Sequence, residues 1–387
     1  MRSSSAEEIA ARILSAGGPF SVYVHLPFCA AKCPYCSFYS MVPAGGDVEE
    51  YCRLLARETS LYGSILKEGE ARAATVYFGG GTPTMLSPDQ WRALLGRVRD
   101  DLPAAPDAEI SVEANPDSLT EEHLAAWSDL GVTRVSVGVQ SLCDGELRLL
   151  ERLHDAEKAR RAVAMCVEAG FSTAADLIFG LPGQTLRSFA NSADGVIGLG
   201  ADHLSLYQLA LDEGCRWFGS SEVAADGYRF YRWAQWHLPG RGFAQYEIAS
   251  FALAGRECRH NMAYWTGGSV LALGAGAWGY AGGVRYHNER TVEGYRAAVE
   301  GRGGAVEESE ELDDRGRARE AAVLLLRTSA GIGYDEFSAR HGREQMSAIL
   351  TALEEGAPAD CFRRTGSSIA LSSKGMRVAN AIWRLII

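Results

Sequence analysis

Cys29, Cys33 and Cys36 stand in Cys29-Ala30-Ala31-Lys32-Cys33-Pro34-Tyr35-Cys36, directly after an apolar, strand-like run. This CxxxCxxC spacing puts three thiolates on one short loop, and soft thiolates are the ligands that iron–sulfur chemistry selects. Three of them can hold three corners of a [4Fe–4S] cluster, whereas a cluster kept for electron transfer alone normally takes four. The fourth iron is then open to an exogenous, amino-acid-like ligand that chelates through an amine and a carboxylate. A zinc loop is the main rival reading. Zinc loops usually pair one CxxC with a second elsewhere, and the chain has no second pair.

Further groups with chemical potential lie at the ends of strand-like runs. Gly79-Gly80-Gly81 follows one such run, so its bare backbone can come close to a ligand. No Lys-Ser/Thr pair follows, which excludes a Walker phosphate loop. Glu113, Gln140 and Asp176 end later runs, and Arg152 offers a bidentate fork for a carboxylate. Tyr23 and Phe38 flank the cysteine loop as stacking or shielding rings. Taken singly, each of these residues could as well serve a structural ion pair or plain packing.

Together the words resemble the HemN/HemW-like branch of the radical S-adenosylmethionine (SAM) superfamily. The likeness rests on Tyr23-Val24-His25-Leu26-Pro27-Phe28-Cys29, Phe78-Gly79-Gly80-Gly81-Thr82-Pro83-Thr84 and Val112-Glu113-Ala114-Asn115-Pro116. It continues through Gly138-Val139-Gln140-Ser141 and Asp176-Leu177-Ile178-Phe179-Gly180-Leu181-Pro182-Gly183-Gln184. Tyr246-Glu247-Ile248, Glu257-Cys258-Arg259-His260-Asn261-Met262-Ala263-Tyr264-Trp265 and Leu371-Ser372-Ser373-Lys374-Gly375-Met376 complete it, so it spans nearly the whole chain in order.

The resemblance implies that Cys29, Cys33 and Cys36 hold a [4Fe–4S] cluster and that SAM chelates its open iron. Gly79, Gly80 and Gly81, with Thr82 alongside, would then bind the SAM amino group. Glu113 and Gln140 would serve its charged end and ribose hydroxyls, Arg152 its carboxylate and Asp176 a ribose hydroxyl. Tyr23 and Phe38 would shield the cluster loop. The chemistry implied is reductive: an electron from a flavodoxin or ferredoxin enters the cluster, and C–S cleavage yields methionine and a 5′-deoxyadenosyl radical.

These residues need a frame. Strand-like runs recur at Phe20–His25, Thr75–Phe78, Glu109–Glu113, Arg134–Val139, Ala175–Phe179 and His203–Gln208, with helical patterns between them. Alternating strands and helices predict an α/β fold with a parallel sheet and right-handed crossovers. Six units fall short of a closed eight-fold barrel, so the expectation is an open, partial (β/α)6 TIM-like barrel with its chemistry at the C-terminal rim. Residues 1–210 would form the barrel. Residues 211–304 would be an extension closing its lateral opening, with Gly301-Arg302-Gly303-Gly304-Ala305 as a linker. Residues 305–387 read as a smaller, mostly helical, winged-helix-like domain. Its acidic balance argues against DNA reading and favours packing or a substrate lid.

Composition agrees with a cytoplasmic enzyme. The 387 residues are 47% hydrophobic and 22% charged, as in ordinary globular proteins. No apolar run approaches the roughly 18 residues of a membrane span, and Met1–Glu8 lacks an apolar signal segment. A net charge of −11 argues against a nucleic-acid partner. Nine cysteines, an odd number without a secretory signal, point to a reducing compartment.

Departures within the branch direct the reaction. Coproporphyrinogen III oxidases continue to a fourth cysteine where this chain has Phe38. Heme chaperones usually read Cys-Asp-Phe, against Cys36-Ser37-Phe38 here, and Gly-Ala-His, against Gly276-Ala277-Trp278 here. Losing that imidazole removes one candidate heme ligand, although His260 remains. Trp278 and Tyr280 would suit a flat aromatic or peptide-derived substrate. The expectation is therefore a class C methyltransferase, with Tyr23, Trp278 and Tyr280 in the reaction and a second SAM as carbon donor. The alternative is a HemW-type heme chaperone, with heme bound only under that reading.

Overall fold

The computed structural model describes residues 4–220 and 227–387. Residues 1–3 and 221–226, inside the first and second of the expected units, lie outside the described residues. Six parallel strands form the centre: β1 (Phe20–Leu26), β2 (Ala73–Gly80), β3 (Ala104–Ala114), β4 (Arg134–Gln140), β5 (Ser172–Phe179) and β6 (His203–Gln208). Each stands where a strand-like run predicts one, with longer N-terminal ends in β2, β3 and β5.

Side chains alternate across these strands. In β4, Val135, Val137 and Val139 are fully buried on the helix-covered face, while Arg134, Ser136 and Gln140 point the other way. The same period puts Val22 and Val24 outside with Tyr23 inside, and Leu204 and Leu206 outside with His203, Ser205 and Tyr207 inside. A parallel sheet covered only by packing elements is apolar on both faces; here one face is polar, which marks an interior built to hold something.

On the outer face, Phe78, Trp91 and Trp127 meet edge to face, with centroids 5.1 Å and 5.5 Å apart. They lock the helices Pro88–Asp101 and Glu121–Asp129 onto β2. Capping boxes start both helices: Ser87 with Gln90, and Thr120 with His123.

Beyond residue 237 the chain extends the sheet at both edges. β7 (Ala244–Gln245) and β8 (Ser250–Ala252) add to β6, whereas β9 (Val270–Leu273) pairs in parallel with β1. β10 (Trp278–Ala281), β11 (Val284–Asn288) and β12 (Val306–Glu311) follow β9 in antiparallel fashion, giving one twelve-stranded sheet in which, among the described residues, β12 and β7 are the two edges and do not pair. Residues 211–304, expected to close the lateral opening, supply β7 to β11 and the short helix Arg259–Trp265, which packs on β1 and β2. Glu109, near the base of β3, accepts hydrogen bonds from the backbone N–H groups of Arg259 and His260 and fixes that helix. Gly301–Ala305, read from sequence as a linker, is a turn from the helix Val292–Gly301 into edge strand β12.

The remaining residues form the helices Asp314–Leu325, Tyr334–His341 and Arg343–Gly356 around a small sheet of order β13 (Ile332–Gly333), β15 (Ser368–Leu371), β14 (Phe362–Arg364). The hairpin of β14 and β15 is the expected wing. Two short helices, Ser373–Arg377 and Ala379–Trp383, separated at Val378, follow the hairpin. No helix among the described residues is long and apolar enough to cross a membrane.

Candidate functional site

The C-terminal ends of the central strands surround a cavity of about 340 Å³. Cys29, Cys33 and Cys36 line it, together with Phe38, Gly80, Gly81, Thr82, Glu113, Gln140, Arg152 and Asp176. Residues separated by up to 147 positions in the chain thus share one wall system because each follows a parallel strand or lies in its C-terminal half; Asp176, expected at the end of a strand, stands within β5 with three strand residues after it.

The cysteine loop is tied to its neighbours by backbone bonds. Cys29 N–H donates to Met41 O at 2.9 Å, and Met41 N–H donates to Pro27 O at 2.7 Å. From the other side, Gly81 N–H reaches Leu26 O at 2.8 Å and Thr82 N–H reaches Phe28 O at 2.7 Å. This approach requires a glycine: a Cβ on Gly81 would lie 2.7 Å from Phe28 O. Gly80 holds φ +115°, a conformation rarely open to other residues. Gly79 stands behind the wall, against the Glu113 carboxyl. Thr82 Oγ1 donates to Cys29 Sγ at 3.5 Å and accepts from Asn115 Nδ2 at 3.2 Å.

Two carboxyls face each other across the upper barrel. Glu113 accepts from Tyr77 OH at 2.9 Å and from Gly80 N–H at 3.1 Å. Burial, reinforced by the charge of Asp176, pushes its pKa up to about 7. Asp176 accepts from Ser136 Oγ at 3.2 Å, yet burial still raises it to about 6. Carboxyls held so far above their ordinary range are poised to meet a cation or hydroxyl donors. Gln140 ends β4 with φ 63°, a left-handed backbone uncommon outside glycine, and that turn puts its amide on the cavity wall.

Arg152 enters from the loop after β4. Its Nη2 donates to Asn115 Oδ1 and, at 3.3 Å, to Gly138 O, while Nη1 lies 3.6 Å from Cys33 Sγ. Its Nε is buried without a partner among the described residues. Asn115 therefore orients both Arg152 and Thr82, a role sequence reasoning missed although Asn115 sits two residues after Glu113 in a quoted word. Tyr35, Ser136 and Tyr207 also line the cavity and were not singled out.

The three thiols fit a cluster. Burial raises the Cys36 thiol, and the neighbouring Cys33 and Cys29 raise it further, a crowding that bound iron would relieve. Among the described residues, no group of three His, Cys, Asp or Glu side chains is arranged to hold a single metal ion. A cluster asks for something else, one thiolate on each of three irons. Phe38 is 68% exposed, so it forms rim rather than a packed shield.

Besides Gly79, three expected residues are not brought to this cavity. Tyr23 points into a lower chamber of about 190 Å³, because it lies two residues below His25 on the inner face of β1. Its OH shares a 3.0 Å hydrogen bond with His25 Nδ1, and His25 Nε2 is held by Tyr39 O at 3.0 Å. That bridge stands between Tyr23 and the cysteines. Trp278 and Tyr280 line a third cavity, beside the C-terminal helices. Antiparallel β10 carries Tyr280 back to Val270, level with Ser21 at the N-terminal end of β1 and away from the rim. His260 is 2% exposed in the lower chamber, where it stacks on Tyr77 at 4.9 Å and hydrogen-bonds Thr75 Oγ1 at 2.8 Å. Burial pushes its pKa down to about 3.

Residues 23–195 match the sequence model of the Radical SAM superfamily. The chain is 34% identical over 380 residues to the heme chaperone HemW of Mycobacterium tuberculosis, covering 96% of this chain and 95% of the relative. It is 32% identical over 375 residues to heme chaperone HemW of Bacillus subtilis, covering 94% and 98%. Among solved structures it resembles coproporphyrinogen III oxidase (HemN) from Escherichia coli, a radical SAM enzyme, with a TM-score of 0.84. That likeness covers 98% of this chain and 92% of the other at 23% identity, and so bears on the fold alone. A likeness of this extent, joined to three thiols on a short loop at the rim of an open parallel sheet, places the chain in the HemN/HemW-like family of the radical SAM superfamily.

Proposed function

We propose that the chain is a HemW-type heme chaperone that holds a [4Fe–4S] cluster and SAM in the rim cavity. The observation that carries this reading is the colinear relation to HemW proteins over 96% of the chain. It replaces the methyltransferase expectation. The residues that favoured carbon transfer, Trp278 and Tyr280, stand outside the cysteine cavity. The chamber beneath that cavity, about 190 Å³, is also small for a second SAM, since ligand pockets run from roughly 300 Å³ upward.

In this reading Cys29, Cys33 and Cys36 ligate the cluster, which supplies an electron to a sulfonium when reduced by a flavodoxin or ferredoxin. Gly80 and Gly81 offer backbone groups to the SAM amine, while Arg152, oriented by Asn115, meets its carboxylate. Glu113, Gln140 and Asp176 accept from its ammonium and hydroxyl groups. Nine unpaired cysteines support a reducing, cytoplasmic location.

The test is anaerobic reconstitution with iron, sulfide, SAM and dithionite, followed by a hemin titration and mass analysis on the same sample. Stoichiometric heme binding, transfer to an apo-hemoprotein and no S-adenosylhomocysteine are expected. S-adenosylhomocysteine formation with no heme retained would overturn the reading.

A further inference from the structure

The rim cavity has a polar wall and an apolar one. Glu113, Gln140 and Asp176 belong to the first, Ile178 and Leu209 to the second. With Leu150 and Leu181, the latter two form a small apolar cluster separate from the main core, and Tyr35 packs against it. SAM is charged at its amino-acid end and flat and largely apolar at its purine, so its nucleoside half belongs beside Ile178 and Leu209. Ile178 is the last residue but one of β5, and Leu209 follows β6. Both stand where strand pairing runs out, and this wall needs another support.

Gln184 supplies it from behind. The side chain is buried, and both ends of its amide are engaged. Its Oε1 accepts from Gly180 N–H at 2.8 Å and from Leu181 N–H at 3.3 Å. Its Nε2 donates to Ile178 O and to Glu146 Oε2, each at 3.1 Å. Gly180 holds φ +80°, so the chain leaves β5 in a turn whose N–H groups find their acceptor on a side chain.

Glu146, from the helix Asp144–Leu149, is buried as well. Besides Gln184 it accepts from Ser141 Oγ at 2.6 Å and from Ser188 Oγ at 2.5 Å. Ser141 Oγ in turn accepts from Cys143 N–H at 3.0 Å, and Ser141 directly follows Gln140 with its left-handed backbone. One carboxylate thus ties the turn after β4 to the loop after β5. None of these hydrogen bonds reaches residues 29–36.

We infer that Glu146 and Gln184 are positioning residues for the nucleoside half of SAM, and that they form this half of the site independently of the cluster. The inference rests on the reading that SAM occupies the rim cavity. Neither residue lines that cavity; they act by fixing Ile178 in one wall and Gln140 in the other. The amino-acid half is served by a separate set of contacts, in which Asn115 holds Arg152 and Thr82 beside the cysteines. Two units therefore recognise one ligand, and only one of them needs iron.

The full-length protein is compared in iron-free and reconstituted forms by anaerobic equilibrium dialysis. The iron-free parent should bind 5′-methylthioadenosine, which carries the nucleoside without the amino acid, as tightly as the reconstituted parent does. Gln184→Glu keeps the shape but turns an oxygen toward Glu146 and Ile178 O, so that acceptors face acceptors. It should weaken 5′-methylthioadenosine and SAM alike, by about 10- to 100-fold. Methionine, followed by its shift of the reduced cluster's EPR spectrum, should bind as in the parent. Glu146→Ala should behave like Gln184→Glu, and Glu146→Gln should restore most of the loss, because serine hydroxyls can reverse their bonds. Ser141→Ala removes a single donor to Glu146 and should show the same split at smaller amplitude; it carries the test where the thermal midpoint shows Gln184→Glu to be unfolded. Methionine binding lost along with nucleoside binding, parent-like nucleoside affinity in these variants, or a parent that needs the cluster to bind 5′-methylthioadenosine would overturn the inference and leave the SAM reading standing. A reconstituted parent that binds no SAM would overturn both.

Discussion

Replacing Glu113 by Gln tests the electrostatics of the rim cavity directly. In the folded chain the Glu113 carboxyl titrates at about 7 rather than 4.5, chiefly because it is buried. Between those two values the folded protein keeps a proton that the unfolded chain has released. Stability from this group is therefore fully present below pH 4.5, declines as pH rises, and is lost above about 7. The full difference amounts to at most about 3 kcal/mol. Glu113 borders a cavity that water can enter, so about 1–2 kcal/mol is the better expectation. Glutamine has the same shape, can accept from Gly80 N–H and can donate to Tyr77 O, and it carries no charge at any pH. Without SAM, Glu113→Gln should match the parent within about 0.5 kcal/mol at pH 5 and exceed it by about 1–2 kcal/mol at pH 8. Urea unfolding under anaerobic conditions at the two pH values reads this out. SAM should stabilise the parent more than the variant at pH 8, because its ammonium compensates the carboxylate. A variant destabilised equally at both pH values would refute the argument.

Other perturbations address single contacts. Replacing Cys29, Cys33 and Cys36 together by Ala should abolish the brown colour and SAM cleavage, and a triple variant that keeps about four irons per chain would remove the cluster assignment. Arg152→Lys turns a fork held by Asn115 into a point charge, so SAM binding measured by equilibrium dialysis should weaken about 10- to 100-fold; unchanged affinity would make Arg152 purely structural. Gly81→Ala places a Cβ 2.7 Å from Phe28 O, so the glycine strand must part from the cysteine loop, and iron retention and SAM affinity should both fall. Trp91→Ala empties the joint between Phe78 and Trp127 and should cost about 3–5 kcal/mol by chemical denaturation.

The strands and their rim were legible in the sequence because β1 to β6 carry short apolar runs that end in polar words. Arg134-Val135-Ser136-Val137-Gly138-Val139-Gln140 even shows the alternation that sends Ser136 and Gln140 to the ligand side. The reach of each side chain was not legible. Tyr23 adjoins the cysteine loop in sequence, yet the pleat and the His25–Tyr39 bridge put it on another floor. Trp278 and Tyr280 follow a family-like glycine word, but their position depends on an antiparallel turn and on helices some 40 residues downstream.

The pairing of β9 with β1 and of β8 with β6 bears on how such a chain can be divided. A fragment ending near residue 210 would bare both flanks of the six-stranded centre, each a row of unpaired N–H and C=O groups that invites self-association. The stretch shared across the superfamily is thus no removable cassette in this protein. New chemistry in such a scaffold is more readily gained by altering loops and cavity walls than by exchanging the part that follows.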